Sequence, residues 1–187
     1  MQEVSNVLRI FEEAKSSIDQ GHYYKLKFLS DQTIHTATIA QDPDNVIVAV
    51  VIYALGKIFE REHYKEMPGW QKFQKEVLLN IDAVIRHLRS GEIVKARIDL
   101  GKIRNAVNNI SGNLRLYITD VFEKASINKA FKIYEHGLSD EQTAKLLGIS
   151  LWDLASYIGQ SGVHETKLNQ GIPTKKRINF AEEIFKK

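Results

Sequence analysis

Glu60-Arg-Glu-His63 is the one Glu-x-x-His in the chain, a spacing that sets two metal-ligating side chains on one face of a helix. A di-metal bundle needs such a pair twice, so a single copy predicts a solvated helix end and no metal site. None of the six histidines follows an arginine at the Arg-x(4–6)-His spacing of helical ribonucleases; Arg61 and Arg86 sit too close to His63 and His87. The phosphate-cradling G-x-x-x-x-G-K-[ST] loop, the zinc-binding H-E-x-x-H and the nucleophile elbow G-x-S-x-G are all missing. Glu12-Glu13, Glu60 with Glu62, and Glu182-Glu183 are close carboxylates on amphipathic runs, where solvent-facing charge is the expected role. No catalytic, metal or cofactor site is expected.

Binding chemistry is expected instead in LSDEQTAKLLGISLWDLASYIGQSG, which ends at Gly162. Ser139-Asp-Glu-Gln142 and Ser150-Leu-Trp-Asp153 both fit a capping box, in which the serine oxygen and the residue three later satisfy each other's backbone N–H. They predict helices over about 140–147 and 151–160. Gly148 falls at the exit of the first helix, where a positive φ favours glycine. In the second helix Leu151, Leu154, Ala155 and Ile158 form the inward stripe, with Ala144 small enough for close approach. Trp152, Asp153, Ser156, Tyr157 and Gln160 then face outward. Of these, only Ser156 and Gln160 suit a base edge, and phosphate contact would fall to Lys145, Lys129, Lys132 or the tail cluster Lys175-Lys176-Arg177. DNA and a protein partner both stay open on this reading.

The elements that hold this hairpin are helical throughout. Val4 to Ile18 carries Val4, Val7, Leu8, Phe11, Ala14 and Ile18 on one stripe, and the run from Tyr23 to Ile39 carries Tyr23, Leu26, Leu29, Thr33, Ala37 and, just past it, Ala40. The run VIVAVVIYAL from Val46 is apolar on every side, so a central helix of about Asn45 to Glu62 must be surrounded by others. After Pro68, the residues Trp70, Phe73, Val77, Leu78, Ile81, Val84, Ile85 and Leu88 share a side. Ile93, Ala96, Leu100, Ile103, Val107 and Ile110 do the same in the next segment, and a long run follows to His136. Pro43, Pro68 and Pro173 are read as helix starts, where the missing N–H is harmless. Short connections predict antiparallel neighbours. The expected fold is all-α: an up-and-down bundle over 1–137, a helix-turn-helix-like hairpin over 138–163, and a polar loop with a terminal amphipathic helix over 164–187.

The bulk numbers agree with this. At 187 residues, with 43% hydrophobic and 26% charged residues, the chain is an ordinary globular one able to bury a core without staples. Zero cysteines rule out disulfides and thiolate chemistry, and together with a start lacking a secretory pattern they predict a cytoplasmic setting. The ten-residue apolar run is too short to span a bilayer, so no membrane role is expected. A net charge of +3 neither demands nor excludes nucleic acid. The terminal stripe Ile178, Ala181, Ile184 and Phe185 is expected to pack on its own bundle or on a second copy, with docking into a partner's groove as the other reading, and a homodimer is the expected assembly.

Ala130 to Val163 resembles the core of a family of very small prokaryotic proteins with a pattern close to A-x-x-x-[YF]-x-x-G-x-[IL]-S-x-x-x-A-A-x-L-x-G-[IV]-S-x-[WY]-[DE]-[FL]. Ala130, Tyr134, Gly137, Leu138, Ser139, Ala144, Leu147, Gly148, Ile149, Ser150, Trp152 and Asp153 carry the match. That family is regarded as antitoxin-like helix-turn-helix proteins, often paired with PIN-type ribonuclease toxins. The resemblance covers about a fifth of the chain and implies a DNA-binding or toxin-neutralising module. Glu141-Gln142 replaces the family's glycine-lysine pair, which removes a basic residue from the first helix. The run EEAKSSIDQGHYYKLKFLSDQTIHTA is similar to helical-bundle ribonucleases of the HEPN class, which implies an RNA-related role as the alternative. An oligomeric scaffold is the third expectation.

Overall fold

In the computed structural model the described residues are 1–160, apart from positions 2, 41, 137, 148 and 149. Pro173 and the expected terminal helix lie outside them. Nine α-helices occur among the described residues: α1 Val4–Asp19, α2 Tyr24–Ala40, α3 Pro43–Phe59, α4 Glu62–Lys65, α5 Trp70–Arg89, α6 Ile93–Asn105, α7 Gly112–Glu135, α8 Asp140–Leu147 and α9 Leu151–Gln160. A 3-10 turn, Ala106–Asn109, links α6 to α7, and the described residues include no strand. The chain is all-α.

Side-chain pairs fix the helix directions. Ser30 donates to the Ala49 carbonyl at 2.7 Å, and an added Cβ at Gly56 would come within 3.0 Å of the Leu26 Cβ, so α2 and α3 run antiparallel in close contact. His87 meets Asp99 and Asn109 meets Glu76, which sets α5 against α6 and the turn beyond it in the same sense. Arg89 bonds Glu12 while Lys15 bonds Asp82, so α1 and α5 are antiparallel too. Short connections leave little alternative.

At the centre stands α3. Asp42 caps it by accepting from the Asp44 N–H at 3.0 Å, with Pro43 in the first turn where no N–H is needed. Twelve of its seventeen residues are buried, as an all-round apolar helix requires. The inward stripe of α5 comprises Trp70, Phe73, Val77, Ile81, Val84, Ile85 and Leu88, with Leu78 at its edge. A smaller cluster of Ile34, Ala37, Val46, Ala49 and Ile133 lies apart, with Leu138 packed against it.

Two boundaries differ from expectation. The central helix stops at Phe59 instead of reaching Glu62, because Arg61 turns extended (φ −91°, ψ 97°) and starts the one-turn α4. That break buries Tyr64, whose ring stacks on Tyr117 of α7 at 5.9 Å and 4°. Pro68 sits in the turn ahead of α5, and Gly69 is the actual N-cap at φ +92°. Glycine is needed there twice over: the conformation is left-handed, and a Cβ would meet Ile110 at 3.3 Å.

Candidate functional site

The hairpin is built from local sequence. Ser139 Oγ accepts from the Gln142 N–H at 3.2 Å, and Gln142 Oε1 accepts from the Ser139 N–H at 3.1 Å, which is the reciprocal capping box expected. Asp140 and Glu141 occupy the first turn of α8 and Lys145 the last, each at the end of the helix dipole that favours its charge. Replacing Ser139 with Ala should therefore cost about 1 kcal/mol, felt mainly as faster amide exchange across 140–147. Unchanged exchange there would mean that packing alone holds α8.

Thr143 and Ala144 of α8 and Leu154 of α9 are buried. These residues, with contacts to α3 and α7, seat the hairpin on the bundle. The inward stripe expected for α9 needs correcting. Leu151 is 49% exposed and Ala155 is exposed as well, so only Leu154 of that set is seen buried; the Ile158 side chain is not described. An i, i+3, i+4 pattern marks a face that is able to be buried, but burial needs walls on both sides. Among the described residues, α7 and α8 are the elements that share several contacts with α9.

On the outer side of α9, Trp152 is 84% exposed and Ser156 is exposed. Lys145 is exposed on α8. Asp153, Tyr157 and Gln160 belong to α9, with side chains outside the description; Gly148 and Ile149 at the turn, and Lys175, Lys176 and Arg177, lie outside the described residues. Leu151, Trp152 and Ala155 thus leave a small apolar surface at the start of α9. From 138 to 160 the sequence holds Asp140, Glu141 and Asp153 against Lys145 alone, so the hairpin itself is acidic.

A polar network joins α5 to α6 in the bundle. His87 Nδ1 lies 2.7 Å from Asp99 Oδ2, and Lys102 Nζ lies 2.7 Å from Asp99 Oδ1. Burial acts to raise the Asp99 carboxyl, but the Lys102 and His87 hydrogen bonds outweigh it and hold the group below the usual carboxylate range. His87 Nε2 is 3.7 Å from Glu92, whose carboxylate also takes Lys95 and Ser90. Ser90 Oγ bonds the His87 carbonyl and Glu92, not the imidazole, so the histidine clamps the α5–α6 turn without activating a nucleophile. Arg104 lies more than a turn further along α6, lining a cleft of about 290 Å³ with Asn105, Asn108 and Phe122. Glu60 pairs with Lys57 at 2.9 Å and His63 packs edge-on against Tyr64, so the Glu-x-x-His residues are each engaged locally. Among the described residues no group of three His, Asp or Glu side chains is arranged to hold a metal ion. Nor is any of their helices long and apolar enough to cross a membrane.

No protein-family model, curated protein or solved structure matches the chain.

Proposed function

We propose that this protein is a non-enzymatic, antitoxin-like regulator whose C-terminal hairpin docks a partner protein. The observation that carries the reading is Trp152, 84% exposed on a capped helix whose neighbour Leu151 is itself half exposed. Leaving an indole and a leucine in water is unfavourable by about 25 cal/mol for every Å² that could be covered. Tryptophan is also the residue type that most often anchors protein interfaces. Acidic character argues against DNA as the first partner: from 138 to 160 Asp140, Glu141 and Asp153 outnumber the single cation Lys145. A protein surface with an apolar slot and a basic rim fits better. The similarity of Ala130 to Val163 to antitoxin-like modules supports a regulatory role for such docking.

The test begins with a photoreactive residue at position 152, cross-linking in cells and identification of the captured chain. Binding is then measured between the two purified proteins. Trp152→Ala should weaken it by more than about tenfold, as expected for an interface anchor, with the melting temperature unchanged because the side chain is already solvent-facing. Salt-dependent binding to duplex DNA, weakened by the same substitution, would instead make the hairpin a DNA reader and sink the protein-docking reading.

A further inference from the structure

The segment Tyr23-Tyr24-Lys25-Leu26-Lys27-Phe28 interleaves aromatic and basic residues, and the fold does not bury most of them. The inward face of α2 is taken by Leu26, Leu29, Ser30, Thr33, Ile34 and Ala37. Tyr24 and Phe28, one helical turn apart, are left 59% and 63% exposed. They border a cleft of about 420 Å³ beside α2 and α3, lined by Tyr23 just ahead of α2 and Lys27 within it, by Tyr53 and Lys57 of α3, and by Glu60 at the C-cap of α3. Tyr53, Lys57 and Glu60 fall at i, i+4 and i+7, and the Glu60 backbone still has helical angles at the cap, so the three share one strip. The size is that of a small-molecule site rather than of a helix-binding groove.

Charge around this cleft is positive. Lys129 places its Nζ 4.2 Å from the centre of the Tyr53 ring, and Lys65 places its own 4.9 Å from that of Tyr23. Asp31 is shared by Lys129 and Lys132, both at 2.8 Å, while Glu60 is taken by Lys57 and Glu62 by Lys65. Asp31, Glu60 and Glu62 are therefore already matched by lysines. Lys27, which lines the cleft and is close enough to repel Lys129, makes no ion pair among the described residues. An aromatic-walled cleft with a surplus of ammonium groups selects a flat, anionic ligand. Protein interface cores are depleted in lysine, which disfavours a second protein here. Nucleobases stack on aromatic rings whatever their sequence, and phosphates seek lysine.

We propose that the α2–α3 cleft binds the base and phosphate of a nucleotide, with the base against Tyr24, Phe28 and Tyr53 and the phosphate on Lys27. The same chemistry is offered by a free nucleotide and by one residue of a single strand. This site is independent of the hairpin.

The full chain is titrated at low ionic strength with AMP by calorimetry, and with a labelled short adenosine oligoribonucleotide by anisotropy. Binding of either probe is expected; comparable affinity for both identifies a free nucleotide as the source, and binding of the oligonucleotide alone identifies a strand. Tyr24→Ala and Phe28→Ala should each weaken binding by about tenfold or more, the usual loss of one stacking partner. Lys27→Gln should flatten the salt dependence by about one counterion. All three positions are exposed, so circular dichroism melts should match wild type, and Trp152→Ala should bind normally. Failure of both probes to bind overturns the proposal. So does binding that ignores Tyr24 and Phe28, or a self-association that Phe28→Ala abolishes while nucleotide has no effect.

Discussion

Phe59→Ala is expected to destabilise the protein by about 3–5 kcal/mol, lowering its melting temperature by on the order of 10 °C. Phe59 is 1% exposed at the last turn of α3, where three helical segments converge. Its ring lies 5.3 Å from Trp70 in an edge-on arrangement and 5.9 Å from Tyr23. The cost of a large-to-small change depends on how well the neighbours close the void. Here they are held. Tyr23 is tied by Lys65, which sits over its ring and reaches its hydroxyl at 3.4 Å. Trp70 opens α5 behind Gly69, whose tight fit against Ile110 fixes the entry of the chain. Little collapse is available, which favours the upper part of the range. Phe59→Leu keeps most of the volume and should cost less than about 1.5 kcal/mol. Urea unfolding followed by tryptophan fluorescence reads both variants; a loss below about 1 kcal/mol for the alanine would show that the cluster relaxes and that the aromatic contacts are not what joins these helices.

That cluster also shows what the sequence discloses. The stripes of α1, α5 and α6 are visible because each helix has one apolar side and one neighbour-facing direction, so periodicity and burial coincide. The all-round apolarity of Val46 to Leu55 likewise announces a surrounded helix. The end of α3 is different. Phe59 to Met67 contains nothing that breaks a helix, and the interruption at Arg61 serves Tyr64, which takes a place beside Tyr117 more than fifty positions away in the chain. In α2 two apolar faces compete, one with Leu26 and Leu29 and the other with Tyr24 and Phe28. The first wins because Ser30 and Thr33 can enter the interior with it by donating to the Ala49 and Leu29 carbonyls. One of those acceptors belongs to another helix and leaves no local mark.

The same distinction divides the candidate sites. The capping box of α8 is written within four consecutive residues and forms as read. The exposure of Leu151 and Ala155 is decided by which helices reach α9, so a stripe within α9 could not reveal it. The aromatic–basic cleft was equally hidden: Tyr23 reads as part of an apolar stripe, and its partner Tyr53 lies within the most apolar run of the chain. A signal was present in the alternation of Tyr and Lys from Tyr23 to Phe28, which suits stacking and phosphate contact more than a buried face.

Lys129 is the least legible residue of all, since its partner Asp31 is 98 positions away, and it gives the sharpest pH dependence. Burial strips water from the ammonium and pushes its pKa down from 10.5 to about 8, against the opposing pull of Asp31 and with help from Lys132 and Lys27. Between pH 8 and 10.5 the unfolded chain therefore binds more protons than the folded one, so stability must rise with pH across that window, by about 3 kcal/mol in all. The comparison with Lys129→Met isolates the one group. That variant should lack the rise and be at least as stable as wild type at pH 7, because Asp31 keeps Lys132 at 2.8 Å. Asp31→Asn acts in the opposite sense by removing the carboxylate that both lysines use. Lys129 then escapes by shedding its proton, which limits the ionisation part of the loss to about 1.4 kcal/mol at pH 7 and about twice that at pH 6. Urea midpoints measured from pH 6 to 10 decide the matter. If wild type and Lys129→Met keep a constant difference in stability from pH 7 to 10, the Lys129 ammonium is not the strained cation that its burial beneath Tyr53 and Asp31 implies.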